Sequence, residues 1–165
     1  MNEDIINNVE TYFASAERLD NDDVYLQTIK ILGLRTTIPI LNALPNMIAI
    51  LNTQRQVIFT NDAFNKLIGL KEFELGLGLR PGELLKCIHS HDHINGCGTG
   101  KECLYCGVVL TILKSQETGI KQKSKANIIV SKDGQQLSLD YQVIVTPIAV
   151  DNEIFYVLII SDICV

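Results

Sequence analysis

The run Cys87-Ile-His-Ser-His-Asp-His-Ile-Asn-Gly-Cys97-Gly-Thr-Gly-Lys-Glu-Cys103-Leu-Tyr-Cys106 carries four of the chain's five cysteines. Their spacing is C-x9-C-x5-C-x2-C, with His89, His91 and His93 inside the first interval. Thiolates at this density are soft ligands suited to zinc, copper(I) or iron–sulfur clusters. A disulfide framework belongs instead to small secreted chains. The opening Met1-Asn2-Glu3-Asp4 is acidic and no long apolar run follows it, so a cytoplasmic location is expected and the cysteines read as metal-binding or redox-active.

Each cysteine has a local context. Thr99-Gly100-Lys101-Glu102 matches a capping box, which predicts a helix from Thr99 through Gln116. Cys103 and Cys106 would then share a face in its first turns, where the helix dipole lowers a thiol's pKa. Gly96 and Gly98 bracket Cys97 and allow close backbone approach to an ion or sulfide. Cys87 ends a short predicted helix, Glu83–Cys87. His89, His91 and His93 alternate, so in an extended loop they point the same way and could replace one cysteine. Four free thiols and a reversible dithiol–disulfide switch are the other readings. A c-type haem is excluded because Cys106-Gly107 is not followed by histidine. Cys164 reads as structural.

The elements that must position this run come from periodicity. Ile5, Ile6, Val9, Tyr12, Phe13, Ala16 and Leu19 form one helical stripe. Asn21-Asp22-Asp23 can cap a second helix carrying Val24, Leu26, Ile29 and Ile31, closed by Gly33, and a third segment spans Ile38–Leu44. After Pro45, Met47–Leu51 and Gln56–Thr60 flank the turn Asn52–Arg55 as a hairpin, and Asn61 caps a short helix ending at Gly69. Near the end, Ala126–Val130, the Asp133-Gly134 turn, the alternating strand Leu137–Thr146 and the apolar Glu153–Ile163 supply three more strands, the last of them central. Together these make an α+β domain around one antiparallel sheet, with the N-terminal helices covering its outer face.

With 165 residues, 47% hydrophobic and 20% charged, the chain is large enough for one domain with a real core. A net charge of −5 argues against nucleic acid as a partner, and the longest apolar run, Ile154–Ile160, is too short to span a membrane. Lys121, Lys123, Lys125 and Lys132 suit the wet face of a strand. No phosphate-binding loop, nucleophile elbow, paired carboxylates or kinase signature is present, so no enzymatic activity is expected.

Leu41–Leu51, the run Val57–Gly69 with its Asn-x-Ala-Phe core, the Asp133-Gly134 hairpin, Thr146-Pro147-Ile148 and Ile159–Ile163 resemble a PAS domain, the sensory module of bacterial signalling proteins. The resemblance covers about residues 40–164. It implies a five-stranded antiparallel sheet with short flanking helices, a ligand or cofactor pocket between them, and homodimerisation through N-terminal helices. Most PAS domains lack a cysteine insert. Arg80-Pro81-Gly82-Glu83, Cys87, Gly96-Cys97-Gly98 and Cys103-x-x-Cys106-Gly107 resemble the pattern of a subset of bacterial PAS sensors. Some PAS sensors of oxygen hold a Cys-ligated iron–sulfur cluster, with a different spacing from this one.

The expected organisation is thus an N-terminal helical extension at residues 1–36 and a PAS domain at 37–165 with its cysteine-rich insert at 87–106. The expected centre is an iron–sulfur cluster on Cys87, Cys97, Cys103 and Cys106, the alternative being Zn2+. A zinc site more often shows two C-x2-C knuckles than one, and a sensory fold favours a ligand that changes state. A separate signalling protein would receive the output.

Overall fold

The computed structural model describes residues 10–163. Its frame is a five-stranded antiparallel sheet in the order β2-β1-β5-β4-β3, built from β1 (Met47–Leu51), β2 (Val57–Thr60), β3 (Gln122–Lys132), β4 (Gln135–Val150) and β5 (Glu153–Asp162). β5 is central, as its unbroken apolar run predicts: Ile48 pairs with Ile159 on one side and Val143 with Ile160 on the other. The β3–β4 hairpin turns at Asp133-Gly134, both at positive φ, as Asp-Gly chemistry requires. Lys123 and Lys125 lie exposed on one face of β3.

The helices are α1 (Asn21–Leu32), α2 (Thr37–Ala43), α3 (Asp62–Ile68), α4 (Pro81–Leu84) and α5 (Gly107–Thr118), with short 3-10 turns at Phe73–Gly76, Ile88–His91 and Lys101–Tyr105. Asn61 caps α3 by accepting from the Phe64 N–H, and Gly69 ends it in the left-handed conformation, as expected. The cap of α1 is Asp20, one residue before the predicted acidic run.

Two apolar layers cover the sheet. On one face, Phe64, Leu84, Leu85, Val108 and Ile112 pack against Leu51, Val143, Val145 and Leu158. On the other, Val24 and Ile31 of α1 pack against Ile50, Ile58 and Phe155, and Thr28 Oγ1 donates to the Ile58 carbonyl at 2.8 Å. The covering of the outer face is therefore the work of the second predicted helix. The first is not formed in residues 10–20, and Ile5, Ile6 and Val9 lie outside the described residues. The backbone donors of 10–20 are committed elsewhere: the N–H of Tyr12 donates to the Thr99 carbonyl and that of Ala14 to the Gly98 carbonyl, each at 3.0 Å. The segment is an irregular strap laid over the cysteine loop.

Around that loop, residues 78–79 pair with β2 through Val57 N–H to the Leu79 carbonyl at 2.7 Å and Gly78 N–H to the Val57 carbonyl at 2.8 Å. Cys87 forms a bridge with Val130 of β3, and the Ser131 N–H donates to the Lys86 carbonyl at 3.1 Å.

Candidate cysteine centre

The elements that hold the four cysteines differ from those the capping-box pattern predicts. Thr99 does not cap a helix; it is fully buried, and its hydroxyl donates to the Gly96 carbonyl at 2.6 Å, closing a turn. Residues Lys101–Tyr105 form a 3-10 turn that carries Cys103, and α5 starts only at Gly107 with Cys106 at its N-cap. Cys103 and Cys106 thus sit on two successive elements, not on one helix face. Gly107 makes this start possible, because a Cβ there would overlap the Lys125 carbonyl of β3 and approach the Ala126 side chain at 2.9 Å. The predicted helix up to Cys87 is the shorter α4, and Cys87 lies beyond it in extended backbone before the 3-10 turn.

Cys87, Cys97, Cys103 and Cys106 nevertheless line one cavity of about 260 Å3, with Pro81, Gly82, Leu85, Val108, Val109 and Ile128 supplying apolar wall. Gly82 lets Cys97 come in close: a Cβ on it would stand 2.7 Å from the Cys97 Sγ. All four cysteines are free thiols. Among the described residues, no group of three or more His, Cys, Asp or Glu side chains is already drawn together as a metal site.

Burial governs the thiols. It pushes Cys97 up to about 12, and raises Cys87 and Cys106 as well. The expected lowering at a helix N-terminus is present at Cys106, whose sulfur accepts from the Val108 and Val109 N–H groups, but desolvation outweighs it. Neighbouring thiols add to the rise, since each disfavours ionisation of the next.

The three histidines do not act as a set. The 3-10 turn at Ile88–His91 breaks the extended alternation on which their common direction depends. His89 lines the thiol cavity, and its Nδ1 donates to Asp92 Oδ2 at 2.6 Å. His91 and His93 line a neighbouring polar pocket of about 310 Å3 with Arg18, Glu83 and Asn95. His93 Nδ1 accepts from the Asn95 N–H at 3.1 Å, so its Nε2 carries the proton and donates to the Glu10 carbonyl at 3.1 Å, tying loop to strap.

The sequence reading misses a cluster of charge behind Cys97. Arg80 is fully buried and donates to five backbone carbonyls: Gln54 at 3.1 Å, Asn95 at 3.1 Å, Cys97 at 3.4 Å, Ser15 at 3.3 Å and Glu17 at 2.8 Å. It joins the β1–β2 turn, the cysteine loop and the strap in one side chain. Arg55, also buried and at positive φ, donates to the Ser15 carbonyl at 2.8 Å. Glu83 accepts from the Arg80 N–H at 2.8 Å, the Cys97 N–H at 3.2 Å and the Arg18 guanidinium, with which it forms an ion pair. Burial raises the Glu83 carboxyl, yet these donors together hold it below its ordinary range. Burial, followed by the nearby Arg55 and Arg18, brings Arg80 down to about 9, and burial lowers Arg55 too. Arg80-Pro81-Gly82-Glu83 carries the one available signal, a proline at the first helical position with glutamate two residues later reaching back over the helix start. Nothing in the sequence around Arg55 marks it.

The glycines beside Cys97 therefore serve contacts other than the ion approach they suggest. A Cβ on Gly98, at φ +91, would lie 3.1 Å from Arg55 Nη2; one on Gly96, at φ +82, would overlap Glu83 Oε1 and stand 2.7 Å from Arg18 Nη2. On the far side, Phe13 and Ala14 of the strap pack with Cys97, Cys106, Val109 and Leu113.

Comparison with known proteins shows what the sequence and the fold are similar to. No curated protein matches the sequence at a significant level. Residues 34–101 match the sequence profile of the PAS domain. Similar solved structures include the PAS domain of nitrogen regulation protein NR(II) from Vibrio parahaemolyticus, with a TM-score of 0.55, 15% identity, and 77% of this chain and 97% of that one covered. A PAS domain of a protein from Colwellia psychrerythraea gives a TM-score of 0.51 at 19% identity over 81% of this chain and 97% of that one. A PAS domain from a two-component sensor histidine kinase gives 0.51 at 10% identity over 80% and 97%. Among the described residues, no helix is long and apolar enough to cross a membrane. Residues 34–101 thus match the PAS-domain profile, and about four-fifths of the chain shares the fold of solved PAS domains.

Proposed function

We propose that this PAS domain is a sensor of redox state or oxygen, that Cys87, Cys97, Cys103 and Cys106 hold an iron–sulfur cluster, and that a conformational change passes to a separate signalling protein. One observation carries the reading: four cysteines from four separate places in the chain line a single cavity of about 260 Å3. Pockets for drug-sized organic ligands run to roughly 300–1,000 Å3, so this one suits a compact inorganic group. The face of the sheet turned to α3, α4 and α5 is packed with apolar side chains, which disfavours a large organic ligand there. Similar folds include the PAS domain of a two-component sensor histidine kinase, which supports a signalling role.

The thiols fit the group chemically. They are free, they lie among apolar walls, and the two N–H groups at the start of α5 favour a thiolate at Cys106. A bound cluster would supply a centre able to change charge by one electron. The protein's part is to deliver four sulfurs, exclude water with Leu85, Val108 and Ile128, and hold the loop against the strap. His89 is the histidine placed to replace a cysteine, since it lines the same cavity with its Nδ1 held by a carboxylate, as metal-ligating histidines commonly are. Zn2+ on the same four sulfurs is the second reading.

Anaerobic purification with an ultraviolet–visible spectrum and metal analysis decides between them. A brown protein with iron and sulfide supports the cluster. Colourless protein with one zinc per chain supports the second reading, and protein that binds neither iron nor zinc overturns both.

The same proposal includes a homodimer. Tyr25, Leu26 and Ile29 of α1 are 58%, 62% and 49% exposed, so this helix covers the sheet with one side and offers an apolar row on the other. Light scattering tests it: Leu26→Glu with Ile29→Glu should convert a dimer to a monomer, and a wild-type monomer at tens of micromolar would rule the dimer out.

A further inference from the structure

Three guanidinium groups and one carboxylate stand behind Cys97: Arg18, Arg55, Arg80 and Glu83. Only Arg18 is paired with Glu83. Arg80 and Arg55, at 0% and 4% exposure, are met by backbone carbonyls, which satisfy their hydrogen bonds and leave their charge unbalanced. A buried cation without an anion is costly, and folds seldom keep two side by side without a reason. The other carboxylates close to the cavity, Asp92 and Glu102, are exposed to water and screened. The glycines around Cys97 bring its backbone directly against Arg55 on one side and the Arg18–Glu83 pair on the other.

We infer that Arg18, Arg55 and Arg80 are the built counter-charge of a four-thiolate centre with net charge −2, so that the group the cysteines hold is one of charge 2+, a divalent metal ion or an iron–sulfur core. The inference rests on the cysteine reading above and adds the charge of what is bound. When four thiols take up a 2+ group they release four protons, and the centre is left with two negative charges. Among the described residues, three arginines less Glu83 leave two positive charges behind the Cys97 backbone. The surplus that is unfavourable in the empty protein becomes an asset once the centre forms.

The test measures Zn2+ affinity by chelator competition, and thermal stability with and without Zn2+, for wild type, Arg55→Gln and Arg55→Lys. Reconstitution with ferrous iron and sulfide gives a second series. Arg55→Gln should weaken Zn2+ binding about tenfold, the scale of one charge acting across a partly buried distance, while Arg55→Lys stays near wild type. Arg55→Gln should also destabilise the loaded protein more than the empty one. Equal losses in both states, or unchanged Zn2+ affinity, would show Arg55 to be packing only and overturn the inference while leaving the cysteine reading intact. Wild type that takes neither zinc nor cluster would overturn both. Should Arg55→Gln fail to fold, Arg18→Gln, on a partly exposed side chain, must show the same sign, and its failure to do so counts equally against the proposal.

Discussion

The sheet draws its order from apolar burial, whereas the cysteine loop is ordered by charge and backbone hydrogen bonds. Phe64, Phe155, Leu158 and Val143 are wholly buried in two layers, and strand pairing satisfies the backbone between them. Between Arg80 and Cys106 there are short turns, several glycines and few large apolar side chains. There Arg80, Glu83 and Thr99 do the joining. Apolar burial tolerates exchange among similar side chains; a hub of hydrogen bonds around one guanidinium does not. A five-stranded antiparallel sheet can thus carry a loop whose order is specified by different contacts.

The largest expected effect breaks that separation. Arg80→Gln leaves several buried carbonyls short of a donor and should cost roughly 3–5 kcal/mol. Hydrogen exchange should show amides of the strap and of residues 88–99 opening while those of β1 and β5 stay protected. Simultaneous loss of protection in both regions would mean that loop and sheet form one cooperative unit. Phe64→Ala is the counterpart on the sheet side, with an expected cost of about 3–5 kcal/mol and a single global transition in urea. Gly98→Ala should cost about 1–3 kcal/mol, because it combines a left-handed backbone with a Cβ 3.1 Å from Arg55 Nη2; calorimetry measures it. Asp20→Ala removes the cap of α1 and should cost about 1 kcal/mol.

Chemistry sharpens the contrast further. In metal-free protein, Cys97 is raised from 9 to about 12, which leaves about a thousandfold less thiolate at pH 8 than an ordinary cysteine. Iodoacetamide should therefore label it far more slowly in the folded than in the urea-unfolded chain, with the site read by mass spectrometry. Comparable rates would place Cys97 in water and undo the picture of a dry cavity.

The two regions also differ in how far they can be read from sequence. Strand β5, the Asn61 cap and the Asp133-Gly134 turn follow from local patterns that tertiary contacts reinforce. The strap does not, because the apolar spacing of Tyr12, Phe13 and Ala16 suits a helix, and acceptors distant in sequence, the Gly98 and Thr99 carbonyls among them, hold the segment in non-helical backbone. The Thr99 capping pattern misleads for a similar reason: its hydroxyl is already engaged with Gly96, and the helix start is set by the contact of Gly107 with β3. The cysteines announce themselves by spacing. The arginines that would balance them are invisible, since a buried arginine is rare and its partners here are carbonyls that every residue possesses.

Residues 78–79 are bonded to β2 and residues 86–87 to β3, the two outermost strands of the sheet. The intervening stretch, partly coiled into α4, can reach no farther than about 3.3–3.6 Å per residue, so it limits how far the two edge strands can part. Cys87, at one end of this tie, is joined through backbone to both rims of the sheet.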